Sequence, residues 1–346
     1  MTARRWLVAL RDVLRSGAGN LVFRWRGVEP DWGVRGLRGL FTAHPDLPRR
    51  ISRVATLAHR PGRSEAPIGT AHAIRGIDDD ATRSAIVGAL RADGCYVFPE
   101  RLDPELVDAL LAAGRALPRR ASVDGDHEGP HFDPEHLASS RYLCRQDDLV
   151  NTATVQSPLT DPSLAALADA YLGCETVQCD VGLWQSVVFD GGSRDAASQR
   201  FHSDRDHLQF VKFFVYLTDV DSGTGPHVFV RGSHRTRPIA LRRDIRYSDE
   251  EVAAWYPPDA VVELVGASGT LIAVDTSGLH KGKAPIDGER WIFELEYSSS
   301  LYGPGGLPMR VDRATDDFVA CVTSQPRRYA RFTLATSGDG DGAPIA

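Results

Sequence analysis

From residue 81 onward the apolar positions follow two rhythms. In "ATRSAIVGALRAD" they recur every three or four residues, which predicts a helix stopped by Gly94. "CYVF" (95–98) reads as a strand, and a second helix starts at Asp103 with Pro104 in its first turn. A third opens at Asp161-Pro162 and ends at Gly173. Between 174 and 300 the runs become short and strand-like: "TVQCDVGLWQSVVFD", "QFVKFFVYLTDV", "HVFV", "AVVELV", "TLIAV" and "RWIFELEYS", parted by turns rich in Gly, Asp and Ser. Six such segments predict a mainly β fold with flanking helices, a sandwich or closed jelly roll.

The flanks read differently. Residues 1–80 join a short amphipathic opening, "RRWLVALRDVLRS", to Gly-, Pro- and Arg-rich connections, "WGVRGLRGLFTAHPDLPRR" and "HRPGRSEAPIGT", so they are expected to form an appended, Arg-rich extension. The compact domain is expected over 81–310. A C-terminal segment, 311–346, ends in "TSGDGDGAPIA", which reads as a loose tail.

Composition and charge narrow the class. The 346 residues are 42% hydrophobic, enough for a large core, yet no apolar run reaches the length of a membrane span and "WLVAL" (6–10) is too short for a signal-peptide core. The expectation is a cytoplasmic protein. Five cysteines, an odd number without a CxxC pair, point to reduced thiols; Cys174 and Cys179 lack the second pair that a zinc site needs. Residues 1–63 hold 13 Arg against 4 acidic residues, so a chain of net charge −6 has an acidic body behind a basic start. An acidic body argues against nucleic acid as a partner. The basic start suits a carrier protein, anionic lipid or a second copy of the chain, or is simply a solvated helical face.

Candidate chemistry starts from His-x-Asp. Three such triplets occur: His44-Pro45-Asp46, His131-Phe132-Asp133 and His202-Ser203-Asp204. The first two are tied to prolines and read as loops. The third precedes a strand, where an extended backbone sends residues two apart to one face about 7 Å from each other. A third ligand must come from His207, His227, His234 or His280, and His280 stands out because it ends "GTLIAVDTSGLH", where a buried strand meets a turn. Two histidines and one carboxylate make the facial triad of non-haem Fe(II) oxygenases, with positions left open for a co-substrate and O2. Zinc accepts the same ligands and would give a hydrolase. A sugar-binding jelly roll without catalysis is the remaining alternative. Arg290, ten residues beyond His280 at the start of the next strand, is placed to grip a carboxylate bidentately, as 2-oxoglutarate requires.

Four segments in this order, "ALRADGCYVFPERLDPELVDAL", "FHSD", "VYLTDVDSGTGPHVFVRGSHR" and "GTLIAVDTSGLHKGKAPIDGER", resemble the phytanoyl-CoA dioxygenase family over roughly residues 84–300. The resemblance implies a double-stranded β-helix, a jelly-roll or cupin-like core with helices outside. It also implies Fe(II), 2-oxoglutarate and O2 as cofactors, with His202, Asp204 and His280 on the metal and Arg290 on 2-oxoglutarate. Members often carry a hydroxyl two positions after the distal histidine to help bind the co-substrate, whereas this chain has Gly282. Trp184, Gln185, Phe214 and Tyr216 are placed to line the co-substrate pocket. Halogenating relatives lack the carboxylate ligand, so the intact Asp204 favours hydroxylation or a related C–H oxidation.

The substrate candidates are Arg141, Arg145, Asp147 and Asp148, with Arg205, Asp206, His207 and Lys212 beside the metal pair. Their mixed charges suggest a small polar molecule, such as a natural-product or antibiotic precursor. Lys281 and Lys283 hint at an anionic group, while Ser233 and His234 of "RGSHR" read as turn residues.

Overall fold

The computed structural model describes residues 3–26, 29–57, 73–74, 77, 79–122, 129–191, 199–303 and 308–335. The connection at 59–70 and the tail from 336 lie outside the described residues. The helices are α1 (Ala3–Arg26), α2 (Asp31–Ala43), α3 (Leu47–Leu57), α4 (Asp80–Asp93), α5 (Pro104–Ala116), α6 (Gln146–Val150), α7 (Ala153–Leu159), α8 (Pro162–Leu172), α9 (Asp249–Ala253) and α10 (Asp316–Ser324). The strands are β1 (Cys95–Arg101), β2 (Arg119–Ala121), β3 (Arg141–Cys144), β4 (Val177–Val187), β5 (Phe210–Tyr216), β6 (His227–Val230), β7 (Val261–Leu264), β8 (Thr270–Val274), β9 (His280–Gly282), β10 (Glu289–Ser298), β11 (Met309–Val311) and β12 (Phe332–Leu334). No helix among the described residues is long and apolar enough to cross a membrane.

Seven strands form one antiparallel sheet in the order β1-β8-β5-β10-β4-β3-β2, and three form a second, β7-β6-β9. Side chains from the two sheets meet between them: Trp184, Phe214, Tyr216, Ile272, Val274 and Ile292 from the large sheet, Phe229 and Leu264 from the small one. This is the double-stranded β-helix. The large sheet is also covered outside, where Leu183, Phe213, Ala273, Trp291 and Phe293 pack with Leu90, Leu110, Leu159 and Leu167 of the helices. Burying both faces removes the usual alternation, so all seven residues of β5 and all five of β8 are buried.

Local signals set the helix ends. Asp79 and Asp161 accept hydrogen bonds from the first-turn N–H groups of α4 and α8, and Asp103 does so for α5. Gly94, at φ 87°, ends α4 in the left-handed region and turns the chain into β1. A Cβ there would lie 2.5 Å from His234 Nδ1 and 2.8 Å from the Phe229 ring, so the position needs glycine for space as well.

The extension departs from its expected character. "WGVRGLRGLFTAHPDLPRR" forms the helices α2 and α3 in place of loose connections. Its glycines serve close packing: a Cβ on Gly33 would meet the Cα of Gly19 at 2.8 Å, and one on Gly36 the backbone of Ser16 at 2.7 Å. Glycine at these sites lets α1 and α2 approach through their backbones. Leu37, Leu40 and Phe41 then pack with Leu208, Phe210 and Tyr302. Arg49 of α3 forms a buried ion pair with Asp275 and donates to the Tyr171 hydroxyl at 2.6 Å.

Candidate active site

His202 and His280 face each other across an antiparallel bridge, each N–H donating to the other's carbonyl at 2.9 Å. That pairing joins the segment before β5 to β9 and fixes two imidazoles with ring centroids 4.3 Å apart. Asp204 is placed by its own N–H, which donates to Thr276 O at 2.9 Å. The His202 and His280 Nε2 atoms each lie 3.7 Å from one carboxylate oxygen of Asp204. These distances are too long for hydrogen bonds, but two ligands each about 2 Å from one ion sit roughly 3–4 Å apart.

The second nitrogens explain the orientation. His202 Nδ1 lies 3.0 Å from Arg200 O, and His280 Nδ1 lies 3.0 Å from Gly278 O. A backbone carbonyl can only accept, so each Nδ1 carries the proton and each Nε2 presents its lone pair to the shared space. Burial, and then the charge of the neighbouring histidine, pulls His202 down to about 3; burial also lowers His280. Burial alone would raise Asp204, but Lys212 and both histidines hold it below the usual carboxylate range. Two neutral imidazoles and an ionised carboxylate are the states that bind a divalent ion. The donor set therefore fits the iron that a facial triad holds.

Beside this group, alternate residues of the large sheet face the space between the two sheets. Arg290, second in β10, is 5% exposed, and its Nη2 donates to Ser186 Oγ at 3.1 Å. Its Nε and Nη1 are buried without a partner, so two donor nitrogens, carrying three N–H groups, are free. Burial lowers Arg290 to about 10, which leaves it charged at neutral pH. Trp184 meets Phe214 edge-on at 6.0 Å, and Arg141 lies over the Trp184 ring at 4.5 Å with its Nε buried and unpartnered. Tyr216 shares this interior face, but its hydroxyl donates to Leu264 O and accepts from the His227 N–H.

At the other end Lys212 sits among carboxylates. Its Nζ lies 3.1 Å from Asp204, 3.3 Å from both Glu294 and Glu296, and 3.5 Å from Asp206. Burial alone would lower this ammonium, yet the four carboxylates raise it well above the usual lysine value. Burial lifts Glu294 and Asp206 to about 6, with Lys212 opposing the rise. His207 Nδ1 lies 3.1 Å from Tyr302 O, while its Nε2 lies 3.7 Å from Glu296.

Several sequence-based expectations need correction. Gln185 faces away from the pocket because Trp184 and Ser186 take the inward positions; it accepts from Arg119 and donates to Glu289. Arg205 is a latch for the extension, donating to Arg38 O, Thr42 Oγ1 and Arg242 O. Arg145, which precedes α6, and Asp147 in its first turn pair with each other as exposed side chains, with Asp148 beside them, and no hydrogen bond or ion pair among the described residues joins them to the triad. Lys281 and Lys283 are already paired, with Asp249 and Glu263. The turn reading of Ser233 and His234 holds: Ser233 is internal to its turn, accepting from Leu279 N and donating to Val230 O, and His234 contacts Arg91 O. Cys174 joins no metal-binding group among the described residues, whereas Cys179 lies in one with His207 and Glu296. That group and a third, Asp180 with Glu294 and Glu296, share carboxylates that Lys212 already balances.

Sequence reading weighed His227 only as a third metal ligand and gave it no other place in the site. It precedes Phe229 by two residues on β6 and so shares its inward face; its ring stacks on His280 at 5.2 Å and tilts against Phe214 at 5.0 Å. The available signal was a histidine opening the apolar strand "HVFV", where a purely apolar run would be ordinary.

Comparison with known proteins places the chain. Among curated proteins none matches it. Solved structures with a similar arrangement include AviO1 from Streptomyces viridochromogenes Tue57, at 18% identity and TM-score 0.43 over 66% of this chain and 97% of that one. EctD from S. alaskensis is 21% identical with TM-score 0.45, covering 69% and 83%. HygX from Streptomyces hygroscopicus, solved with nickel, 2-oxoglutarate and hygromycin B bound, is 16% identical with TM-score 0.43, covering 68% and 93%. The family model for phytanoyl-CoA dioxygenase (PhyH) matches residues 90–285, more than half the chain and the whole span from β1 to β9. The chain belongs to the phytanoyl-CoA dioxygenase family, non-haem iron enzymes that use 2-oxoglutarate and O2.

Proposed function

We propose that the protein is an Fe(II)- and 2-oxoglutarate-dependent dioxygenase that hydroxylates, or otherwise oxidises at C–H, a small polar molecule of secondary metabolism. The carrying observation is the convergence of two Nε2 lone pairs and the Asp204 carboxylate, with both Nδ1 atoms tied to backbone carbonyls. His202, Asp204 and His280 would hold the metal, and Arg290 would hold the far carboxylate of 2-oxoglutarate through its free Nε and Nη1. When bound, the iron with its keto acid supplies O2-driven oxidation of unactivated C–H bonds, converting 2-oxoglutarate to succinate and CO2.

The chain's own residues do the rest. The two carbonyl contacts keep the imidazoles from rotating, which preserves the ligand geometry between turnovers. Trp184, Phe214 and Ile292 form a buried apolar cluster that would keep water from the reacting centre. Lys212 lets Asp206, Glu294 and Glu296 remain close to the triad without driving Asp204 to take up a proton. With Arg141 on the opposite side, these groups present hydrogen-bonding partners of both signs, which suits a polar substrate. Family membership weighs against a zinc hydrolase or a non-catalytic sugar binder on this scaffold.

The test is anaerobic titration of the metal-free protein with Fe(II), then 2-oxoglutarate. A weak visible band is expected only when both are present, followed on admitting O2 by slow succinate release. A protein that binds zinc tightly but gives neither signal with iron and 2-oxoglutarate would overturn the reading.

A further inference from the structure

The wall around Arg290 carries a second unpartnered polar group. His227 is 6% exposed, and its Nε2 is buried with no hydrogen-bond partner, like the Nε and Nη1 of Arg290; burial, and then the nearby charges of His280 and Arg290, lower this imidazole. Leaving a buried imidazole nitrogen unsatisfied is costly, so such an atom calls for a partner the protein itself does not supply. Ser186 and Tyr216 nearby are engaged, Ser186 accepting from Arg290 Nη2 and the Tyr216 hydroxyl holding both a donor and an acceptor, whereas the Arg141 Nε over the Trp184 ring on the large sheet is also without a partner.

Register shows what faces the His227 ring across the small sheet. His227 lies directly across from Gly282, and Phe229 directly across from His280. His280 and Gly282 are two apart on β9 and share a face, so any side chain at 282 would project beside the His227 ring. Glycine puts no side chain there. The ring, on the small sheet, stacks on His280 and tilts against Phe214 of β5, which pairs with the strand β10 that carries Arg290.

We propose that His227 Nε2 binds the far carboxylate of 2-oxoglutarate together with Arg290, in the place a hydroxyl at 282 would otherwise fill. The ligand is an anionic oxygen, so Nε2 would carry the proton and donate. This inference rests on the Fe(II) and 2-oxoglutarate reading above. Arg290 supplies charge, and His227 adds direction from the opposite sheet, so the carboxylate is held from both sides.

The experiment compares two keto acids on the Fe(II) protein under anaerobic conditions, reading dissociation constants from the visible band. 2-Oxoglutarate has the far carboxylate; 2-oxobutyrate has the same keto-acid end without it. His227→Leu should weaken 2-oxoglutarate about tenfold or more and leave 2-oxobutyrate within about twofold. Adding Gly282→Ser to His227→Leu should recover part of the loss, and His227→Gln, which keeps an N–H, should lose less and serves if the leucine variant does not fold. Unchanged 2-oxoglutarate affinity in both His227 variants overturns the inference. Equal weakening of both keto acids also overturns it, because His227 would then act only by supporting His280. Wild-type protein that binds neither keto acid removes the underlying reading, a failure distinct from a wild-type signal that His227 does not affect.

Discussion

Replacing Arg49 by leucine probes the link between the extension and the metal-bearing turn. Asp275 starts the turn from β8 towards His280: its N–H donates to Gly94 O, and the following Thr276 carbonyl holds the Asp204 N–H. Its carboxylate receives Arg49, the Tyr171 hydroxyl at 2.7 Å and the Ser277 hydroxyl at 2.5 Å, with side-chain exposures of only 10% for Arg49 and 3% for Asp275. Breaking a buried pair typically costs about 3–5 kcal/mol, and the two remaining hydroxyls place Arg49→Leu near ~3 kcal/mol. For a chain of this size that lowers the melting temperature by about 5 °C or more.

Urea denaturation of the metal-free protein at pH 7 measures the change, and the double variant with Asp275→Asn should recover much of it because no buried charge is left alone. Burial pushes the Asp275 carboxyl up, but the charges of Arg49 and His234 and the bonds from Ser277 and Tyr171 hold it below its ordinary value. A depressed carboxyl stabilises the fold above its unfolded pKa of about 3.9 and loses that contribution as pH falls through the folded value. The gap between wild type and Arg49→Leu should therefore narrow below about pH 4. An unchanged urea midpoint at pH 7 would show that α3 is not packed on Asp275. A penalty undiminished at pH 3 would trace to lost packing and not to charge.

Further outcomes follow from other sites. Gly94→Ala should destabilise by about 2 kcal/mol or more, since it combines a positive φ with contacts to His234 and Phe229 below 3.0 Å; a thermal shift under 1 °C would refute the packing at that turn. All five cysteines are free and buried, and burial pushes the Cys95 and Cys144 thiols up to about 12, so a thiol reagent at pH 8 should react slowly with native protein and with five thiols after denaturation. One fast-reacting native thiol would contradict this. Arg290→Ala should weaken 2-oxoglutarate about 100-fold while leaving Fe(II) affinity within about threefold, both read by anaerobic titration; equal losses would mean that Arg290 supports the fold more than the co-substrate.

The long strands and the helices capped by Asp79, Asp103 and Asp161 were legible because each has a local cause: a run of branched and aromatic residues, a capping carboxylate, or a glycine that turns the chain. Side-chain direction was less legible. With both faces of β4, β5 and β10 buried, no polar alternation marks which residues point inward, and Gln185 was assigned to the wrong face. Strand β9 is only three residues long, too short for a periodic signal, so the His227–Gly282 register was invisible. Arg205 sits beside the triad in sequence, but its guanidinium turns to α2, a contact set by tertiary packing alone. The glycines of α2 looked like turn residues because a close helix crossing leaves the same mark in the sequence as a loop.

The central claim is that His202, Asp204 and His280 share one ferrous ion. Crystals grown with Fe(II) under anaerobic conditions and measured at the iron absorption edge test it most directly. The account predicts a single anomalous peak bonded to both Nε2 atoms and to the Asp204 carboxylate, about 2.0–2.2 Å from each. A peak at Cys179, His207 and Glu296, or at Asp180, Glu294 and Glu296, with none at the triad, would contradict it.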